Sequence, residues 1–302
     1  MKSYFLYLSL SGASLTSSKS KRTNLSRWMT DLPDAVRERS ILELAIPGSH
    51  DSFAYTLDKK APFSQNSEGL DDIFDQIGID KVDEIAKEIT YNWAITQILT
   101  TQEQLEAGIR YFDYRTMPLR PSREEVYNAH SLYGPSTEYE MMQIWSFLRD
   151  NPGELVIVNF NHFYDMDQKH YDWLEEHLRT LFGDKICDIP EDPLSTLSFN
   201  DIKATNCNVI ILYGSSIRPD CINSSALPKN QPIPRPDFAW NKGSNLSDPW
   251  LNKQDKESLF SGLDSNLEKG RPLDKFYGSQ ALLTAGRDIY LSDCEEFTME
   301  PL

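Results

Sequence analysis

Two kinds of stretch alternate along the chain. Short apolar runs that stop at Pro, Gly or polar clusters read as strands, and stretches with apolar residues every three or four positions read as helices. Residues 41–46, apolar apart from Glu43, predict a short buried strand ended by Pro47 and Gly48. Residues 108–115, aromatic and β-branched, predict a second strand, and residues 125–130 a third. Residues 155–160 and 209–213 are near-continuous apolar runs, the mark of strands covered on both faces, and residues 281–284 suggest one more.

Helical spacing falls between these runs. It joins Ile79, Val82, Ile85 and Ile89 and continues to Leu105. Met141, Ile144, Trp145 and Leu148 mark another helix face, opened by a capping-box pattern at Thr137 and Glu140 and closed by Asn151-Pro152-Gly153. Leu174, Leu178 and Leu181 mark a third, with Gly183 as its stop, and residues 253–267 a fourth. Residues 24–36 read as a short helix and turn in which Trp28 and Met29 pack; His170 and His177 read as surface or boundary residues. Residues 51–70 predict a long surface loop, and residues 219–249, rich in Pro, Asn and Ser, a loop over the reactive face.

Strands alternating with helices imply an α/β fold, either a TIM-type (β/α) barrel or an open doubly wound sheet. No GxGxxG or GxxxxGK[ST] opens a helix, which counts against nucleotide folds. Polar groups end several separate strands, which favours the barrel, whose C-terminal face gathers such groups. Residues 27–302 are assigned to this barrel, distorted and incomplete at its C-terminal end. Residues 1–26 are assigned to a disordered or weakly signal-like tail.

Composition narrows the class. A formal net charge of −16 argues against a nucleic-acid partner and against strong attraction to anionic membranes. No apolar run approaches the ~18 residues of a membrane span. The four cysteines, Cys187, Cys207, Cys221 and Cys294, form no CxxC pair, so zinc is disfavoured and reduced thiols in a cytoplasmic protein are expected.

The candidate chemistry lies where strands end. The first delivers His50 and Asp51 between Ser49 and Ser52; a plain capping turn explains these residues as well. Alternation places Asp113 and Arg115 on one face of the second strand, where a structural salt bridge is the competing explanation. The third strand ends on His130. Together these residues suit phosphodiester cleavage by a neighbouring hydroxyl without a metal. Two imidazoles serve as general base and general acid near neutral pH, and an arginine holds phosphate.

The string Leu-Ala-Ile-Pro-Gly-Ser-His-Asp-Ser at residues 44–52, with residues 108–115, 128–134 and 158–166, resembles the phosphatidylinositol-specific phospholipase C X-domain proteins. The nearest likeness is to the small eukaryotic members that consist of the X domain alone. The resemblance implies a peripheral enzyme that touches membranes transiently, needs no cofactor, and releases diacylglycerol and cyclic inositol phosphate from phosphatidylinositol-type lipids. It makes His50 the general base, His130 the general acid, Asp51 the acid's supporting carboxylate and Arg115 the phosphate ligand in place of a metal. Asp113 falls on a second active-site carboxylate. Asn161 or His162 stands where the family offers a lysine to the inositol ring, and Asp248 and Trp250 fit an Asp-x-aromatic contact to that ring.

One departure from the family concerns the base. Its members close the barrel with a strand whose aspartate pairs with the base histidine. The text after Thr284 supplies no such strand, and Asp288 and Asp293 lie outside one. A binding protein disabled in catalysis is therefore the competing reading.

Overall fold

The computed structural model describes residues 24–64, 74, 84–214 and 235–284. The central strand is β2 (Tyr111–Pro118), an aromatic-rich run ended by proline. Along one edge it pairs in parallel with β5 (Val156–Phe163), from Tyr111 to Thr116. The opposite edge is divided. β1 (Gly48–Ser49) pairs in parallel with Tyr111 and Phe112, and β3 (Val126–His130) pairs antiparallel with Thr116, Met117 and Pro118. Residues 113–115 thus face a seam between two neighbouring strands, both of which end beside it.

The hairpin partner of β3 is β4 (Leu132–Ser136), while β6 (Val209–Tyr213) and β7 (Trp240–Asn241) extend the parallel side. The seven-stranded sheet runs β4-β3-β2-β5-β6-β7 with β1 beside β2, and does not close on itself among the described residues. A separate parallel pair joins β8 (Leu246–Ser247) to β9 (Phe276–Tyr277).

Burial on both faces of the parallel strands follows from their unbroken apolar runs. Val156, Val158 and Phe160 pack with Val209 and Ile211 against Met141 and Ile144 of the helix Thr137–Asp150 and Leu174 and Leu178 of the helix Gln168–Phe182. On the other face Ile157, Ile210 and Leu212 meet Met29, Ile41, Phe199 and Trp240. Gly183 ends the second helix at φ +51°, a left-handed conformation that suits glycine. No helix among the described residues is long and apolar enough to cross a membrane.

Several sequence expectations need correction. Residues 41–43 form a 3-10 turn, started by Ser40 Oγ accepting from the Leu42 amide, so the first strand lies later and is only Gly48–Ser49. The close pairing with Tyr111 favours glycine at position 48, because a Cβ there would stand 2.9 Å from Tyr111 Cδ1. The expected surface loop after His50 is buried at its start, with Phe53 in the core. Its residues 65–70 lie outside the described set, as do Ile79, Val82, the tail before Asn24, Cys221, Cys294, Asp288 and Asp293. The expected helix up to Leu105 is two helices, Glu84–Ala94 and Thr101–Glu106, and Ile85 is exposed rather than buried.

The helix from Thr137 is capped by Ser136, which frees Glu140 for other contacts. His170 is buried, accepting from the Asp167 amide and bonding the Arg123 carbonyl, so it fastens a helix start to the connection between β2 and β3. Residues 281–284 form only an isolated bridge from Leu283 to Lys253. Cys187 and Cys207 are joined in a disulfide, contrary to the expected free thiols. The stretch read as one loop up to Pro249 contains β7, the short helix Lys242–Asn245 and β8. Buried Trp240 anchors it, donating from Nε1 to the Cys187 carbonyl at 2.9 Å.

Candidate active site

The seam beside β2 is held by hydrogen bonds that lock the turn after β1 onto the strand. The Ser52 amide donates to the Asp113 carbonyl at 3.0 Å, and the Asp113 amide donates to Ser52 Oγ at 2.8 Å. Gln104 Nε2 donates to the Ser52 carbonyl at 2.7 Å, and Thr96 Oγ1 to the Asp51 carbonyl at 2.9 Å. Within this frame Asp51 adopts φ +44°, a left-handed conformation uncommon for a residue with a Cβ. Ser131, just past β3, and Asp165, just past β5, share it at +59° and +49°. Such backbone persists where surrounding contacts over-determine it, often at functional sites.

Five of the predicted residues meet in the seam. His50 places Nδ1 3.2 Å from Asp113 Oδ2 and Nε2 3.2 Å from Asp51 Oδ2. His130 places Nε2 3.4 Å from the same Asp51 oxygen. Arg115 directs Nε to the other Asp51 oxygen. Asp51 therefore lies among two imidazoles and a guanidinium, and Asp113 beside His50. The His130 tautomer follows from its neighbours. Nδ1 stands 2.8 Å from the Ala94 carbonyl, which only accepts, so Nδ1 carries a proton and Nε2 is the atom left to exchange one.

The electrostatics follow. Burial disfavours a charged His50, but hydrogen bonds and charge from Asp113 and Asp51 outweigh it and push the ring from 6.5 up to about 9. Burial also opposes ionisation of Asp51, yet Arg115 first and then the imidazoles hold it well below the usual carboxylate range. Asp113 is likewise lowered, its burial outweighed mainly by the bond to His50. His50, Asp51 and Asp113 offer ligand atoms within 4.8 Å of one another, a donor set a divalent cation can use. Arg115 brings a fixed positive charge onto Asp51 in that same space.

The other predicted residues lie around this cluster. A cavity of about 710 Å³ is lined by His50, Asp113, Asn161 and Asp248, with apolar side chains such as Ile157 and Leu212. Trp250 stacks on the His50 ring, centroids 5.2 Å apart. His162 stands in register with Arg115 across β2 and β5 and stacks on Tyr164. Burial, then the Arg115 charge, holds His162 down to about 4, so at neutral pH it offers hydrogen bonds without charge. His162 does not line the cavity.

Sequence reasoning missed three participants. Ala94 and Gln97 belong to a stretch read as plain helix, yet the Ala94 carbonyl fixes His130 and Gln97 Nε2 donates to the His50 carbonyl at 2.7 Å. Lys242 follows β7 and reaches both Asn161 Oδ1, at 2.6 Å, and Asp248 Oδ2, at 2.9 Å. A lone tryptophan inside the supposed loop, Trp240, was the sequence signal for that strand.

No family model matches the chain. Whole-protein relatives do match. PI-PLC X domain-containing protein 2 of Homo sapiens is 34% identical over 259 residues, spanning 85% of this chain and 77% of its own length. PI-PLC X domain-containing protein 3 of Danio rerio is 32% identical over 260 residues, spanning 85% and 73%. Among solved structures, a phosphatidylinositol-specific phospholipase C of S. aureus gives a TM-score of 0.56 at 16% identity, over 88% of this chain and 80% of its own. That of Listeria monocytogenes gives 0.54 at 17%, over 91% and 86%. The molecule thus has the α/β fold of phosphatidylinositol-specific phospholipases C. The chain belongs to the family of PI-PLC X domain-containing proteins.

Proposed function

We propose that the protein cleaves phosphatidylinositol-type lipids without a metal, using a site at the strand ends of a (β/α) barrel-type sheet. The observation that carries this reading is the cluster of two imidazoles, one shared carboxylate and one guanidinium beside β2. Neutral His50 takes the proton of the ring hydroxyl next to the phosphodiester, and that oxygen bonds phosphorus. The bond from phosphorus to the diacylglycerol oxygen breaks, and His130 Nε2 delivers a proton to the departing oxygen. The products are cyclic inositol phosphate and diacylglycerol. Arg115 balances charge on the phosphoryl oxygens.

Asp51 positions His130 and shares itself with His50. Asp113 acts as the carboxylate partner of the base, the position left empty in the sequence-based account. The binding-only reading rested on that gap, and the His50–Asp113 contact supports the catalytic reading instead. The two carboxylates also set the pH range. They hold a proton on His50 to about pH 9, so its base form is a minority at neutral pH and the pH profile of kcat/KM breaks near that value.

Access to lipid is proposed through the rim. Ile98 is 75% exposed and follows Gln97, which holds the His50 carbonyl; Trp250, 46% exposed, stacks on His50. These side chains suit transient contact with a bilayer surface. The reading is tested by measuring cyclic inositol phosphate released from phosphatidylinositol vesicles with a chelator present. Release by the wild type, abolished in both His50→Ala and His130→Ala, is expected. Turnover surviving either substitution contradicts the proton roles, and loss of turnover to chelator contradicts the metal-free claim.

A further inference from the structure

Lys242 enters the rim because β7 pairs with β6 through Leu212–Trp240 and Tyr213–Asn241. That register puts the residue after β7 at the end of the sheet where β5 delivers Asn161. Its ammonium group has donors only. Hydrogen-bonded at 2.6 Å, it therefore meets the Asn161 amide at its oxygen and turns the Nδ2 protons away from itself. Its second contact, 2.9 Å to Asp248 Oδ2, neutralises that carboxylate on one side. Among the described residues neither Asn161 Nδ2 nor Asp248 Oδ1 has a hydrogen-bond partner, and both residues line the cavity with His50 and Asp113.

We infer that Lys242 is a positioning residue, which fixes Asn161 as a donor and Asp248 as an acceptor toward a hydroxyl-bearing ring. This rests on the reading of the site as one that takes a polyol phosphate. A donor and an acceptor side by side match hydroxyl groups, since each hydroxyl both donates and accepts. A ring phosphate at the same place is acceptor-only and anionic, so it meets the Asp248 carboxylate unfavourably. Lys242 does not relieve this, because its charge is already shared between Asp248 and Asn161. The arrangement therefore selects a ring whose hydroxyls at this edge are free.

The test combines binding with turnover. Calorimetric titration at fixed ionic strength compares inositol 1-phosphate with inositol 1,4,5-trisphosphate on the wild type, Lys242→Met, Lys242→Arg and Asp248→Asn. The wild type is expected to bind the monophosphate about tenfold or more tightly than the trisphosphate. Lys242→Met should weaken monophosphate binding about tenfold, and Lys242→Arg should restore most of it. Asp248→Asn, nearly isosteric, should narrow the preference for the monophosphate. On lipid, Lys242→Met should raise KM more than it lowers kcat and leave the pH profile of kcat/KM in place. A general packing defect would instead lower kcat and KM effects together without rescue by arginine.

Equal or tighter binding of the trisphosphate by the wild type overturns the inference, as does a Lys242→Met protein that binds like the wild type. If no lipid is cleaved but the binding pattern holds, the enzymatic reading fails and this one stands. If lipid is cleaved without the binding preference, the reverse holds.

Discussion

Arg110 and Arg115 both belong to the β2 stretch, and both meet a buried carboxylate, yet their surroundings differ in kind. Arg110 donates from Nε and Nη2 to Glu154 Oε2 at 3.0 and 2.8 Å. Its remaining donors reach the carbonyls of Leu105, Ile109, Leu25 and Ser26. The other Glu154 oxygen accepts from the Thr30 amide and hydroxyl. This pair is fully buried and fully used, and it ties the N-terminal turn to two strands.

Arg115 and Asp51 are arranged otherwise. Both Asp51 oxygens and Arg115 Nε are buried and meet their neighbours as ion pairs, and Asp113 Oδ1 is buried without a hydrogen-bond partner. Buried polar groups are normally satisfied, and exceptions call for an explanation. Here the explanation offered is reserve: capacity left for a phosphodiester and its protons. On the proposed function, complete satisfaction marks the pair that holds the fold, and incomplete satisfaction the pair that would meet a substrate.

That contrast is open to breaking. Arg115→Met is expected to lower kcat/KM by about 10³-fold, the scale of losing a charge-stabilising donor, while the urea midpoint falls less than when the Arg110 pair is broken, because two imidazoles remain beside Asp51. A comparable loss of stability would erase the distinction. Glu154→Ala should do the opposite. It strands the buried Arg110 charge and should cost about 3–5 kcal/mol in urea unfolding, with activity per folded molecule little changed.

A third buried carboxylate sharpens the comparison further. Among the described residues Glu140 has no cation beside it, only the hydroxyls of Tyr55 and Thr101 and the Gln143 amide. Burial outweighs those bonds and pushes its carboxyl up from 4.5 to about 7. The proton is thus bound more tightly in the folded state. The stability it contributes is full below pH 4.5 and is lost as pH rises through about 7, a change of about 3 kcal/mol. Glu140→Gln should flatten that part of the profile in urea unfolding at pH 5 and pH 8. An unchanged slope would place the proton elsewhere.

How much of this was legible in the sequence depends on the range of the forces involved. β2, β5 and β6 were legible because unbroken apolar or aromatic runs report burial directly, and the residues at their ends could be named from alternation. The first strand was misplaced because an apolar run predicts burial but not pairing. Ile41 and Leu42 are buried in a turn, and the pairing begins only at Gly48, in close contact with Tyr111. β7 was hidden because two residues carry no periodicity; its evidence is a hydrogen bond from Trp240 to Cys187, distant in sequence.

The partner of His50 was sought in a strand near the C-terminus, where the family resemblance put it. Asp113 had been assigned to the site, but which imidazole it faces depends on how β1 and β3 divide one edge of β2. No local pattern encodes that division. The same holds for Lys242, whose place depends on the register of β7 against β6.

The central claim is that His50, held by Asp113, is the base of a metal-free cleavage. The most direct test is kcat/KM for cyclic inositol phosphate release in chelator across pH, for the wild type and Asp113→Asn. The wild-type profile should carry a break near pH 9, where His50 gives up its proton. Removing the Asp113 charge should move that break to lower pH and reduce the plateau. A profile with no break near pH 9, or a break that stays in place in Asp113→Asn, would contradict the account.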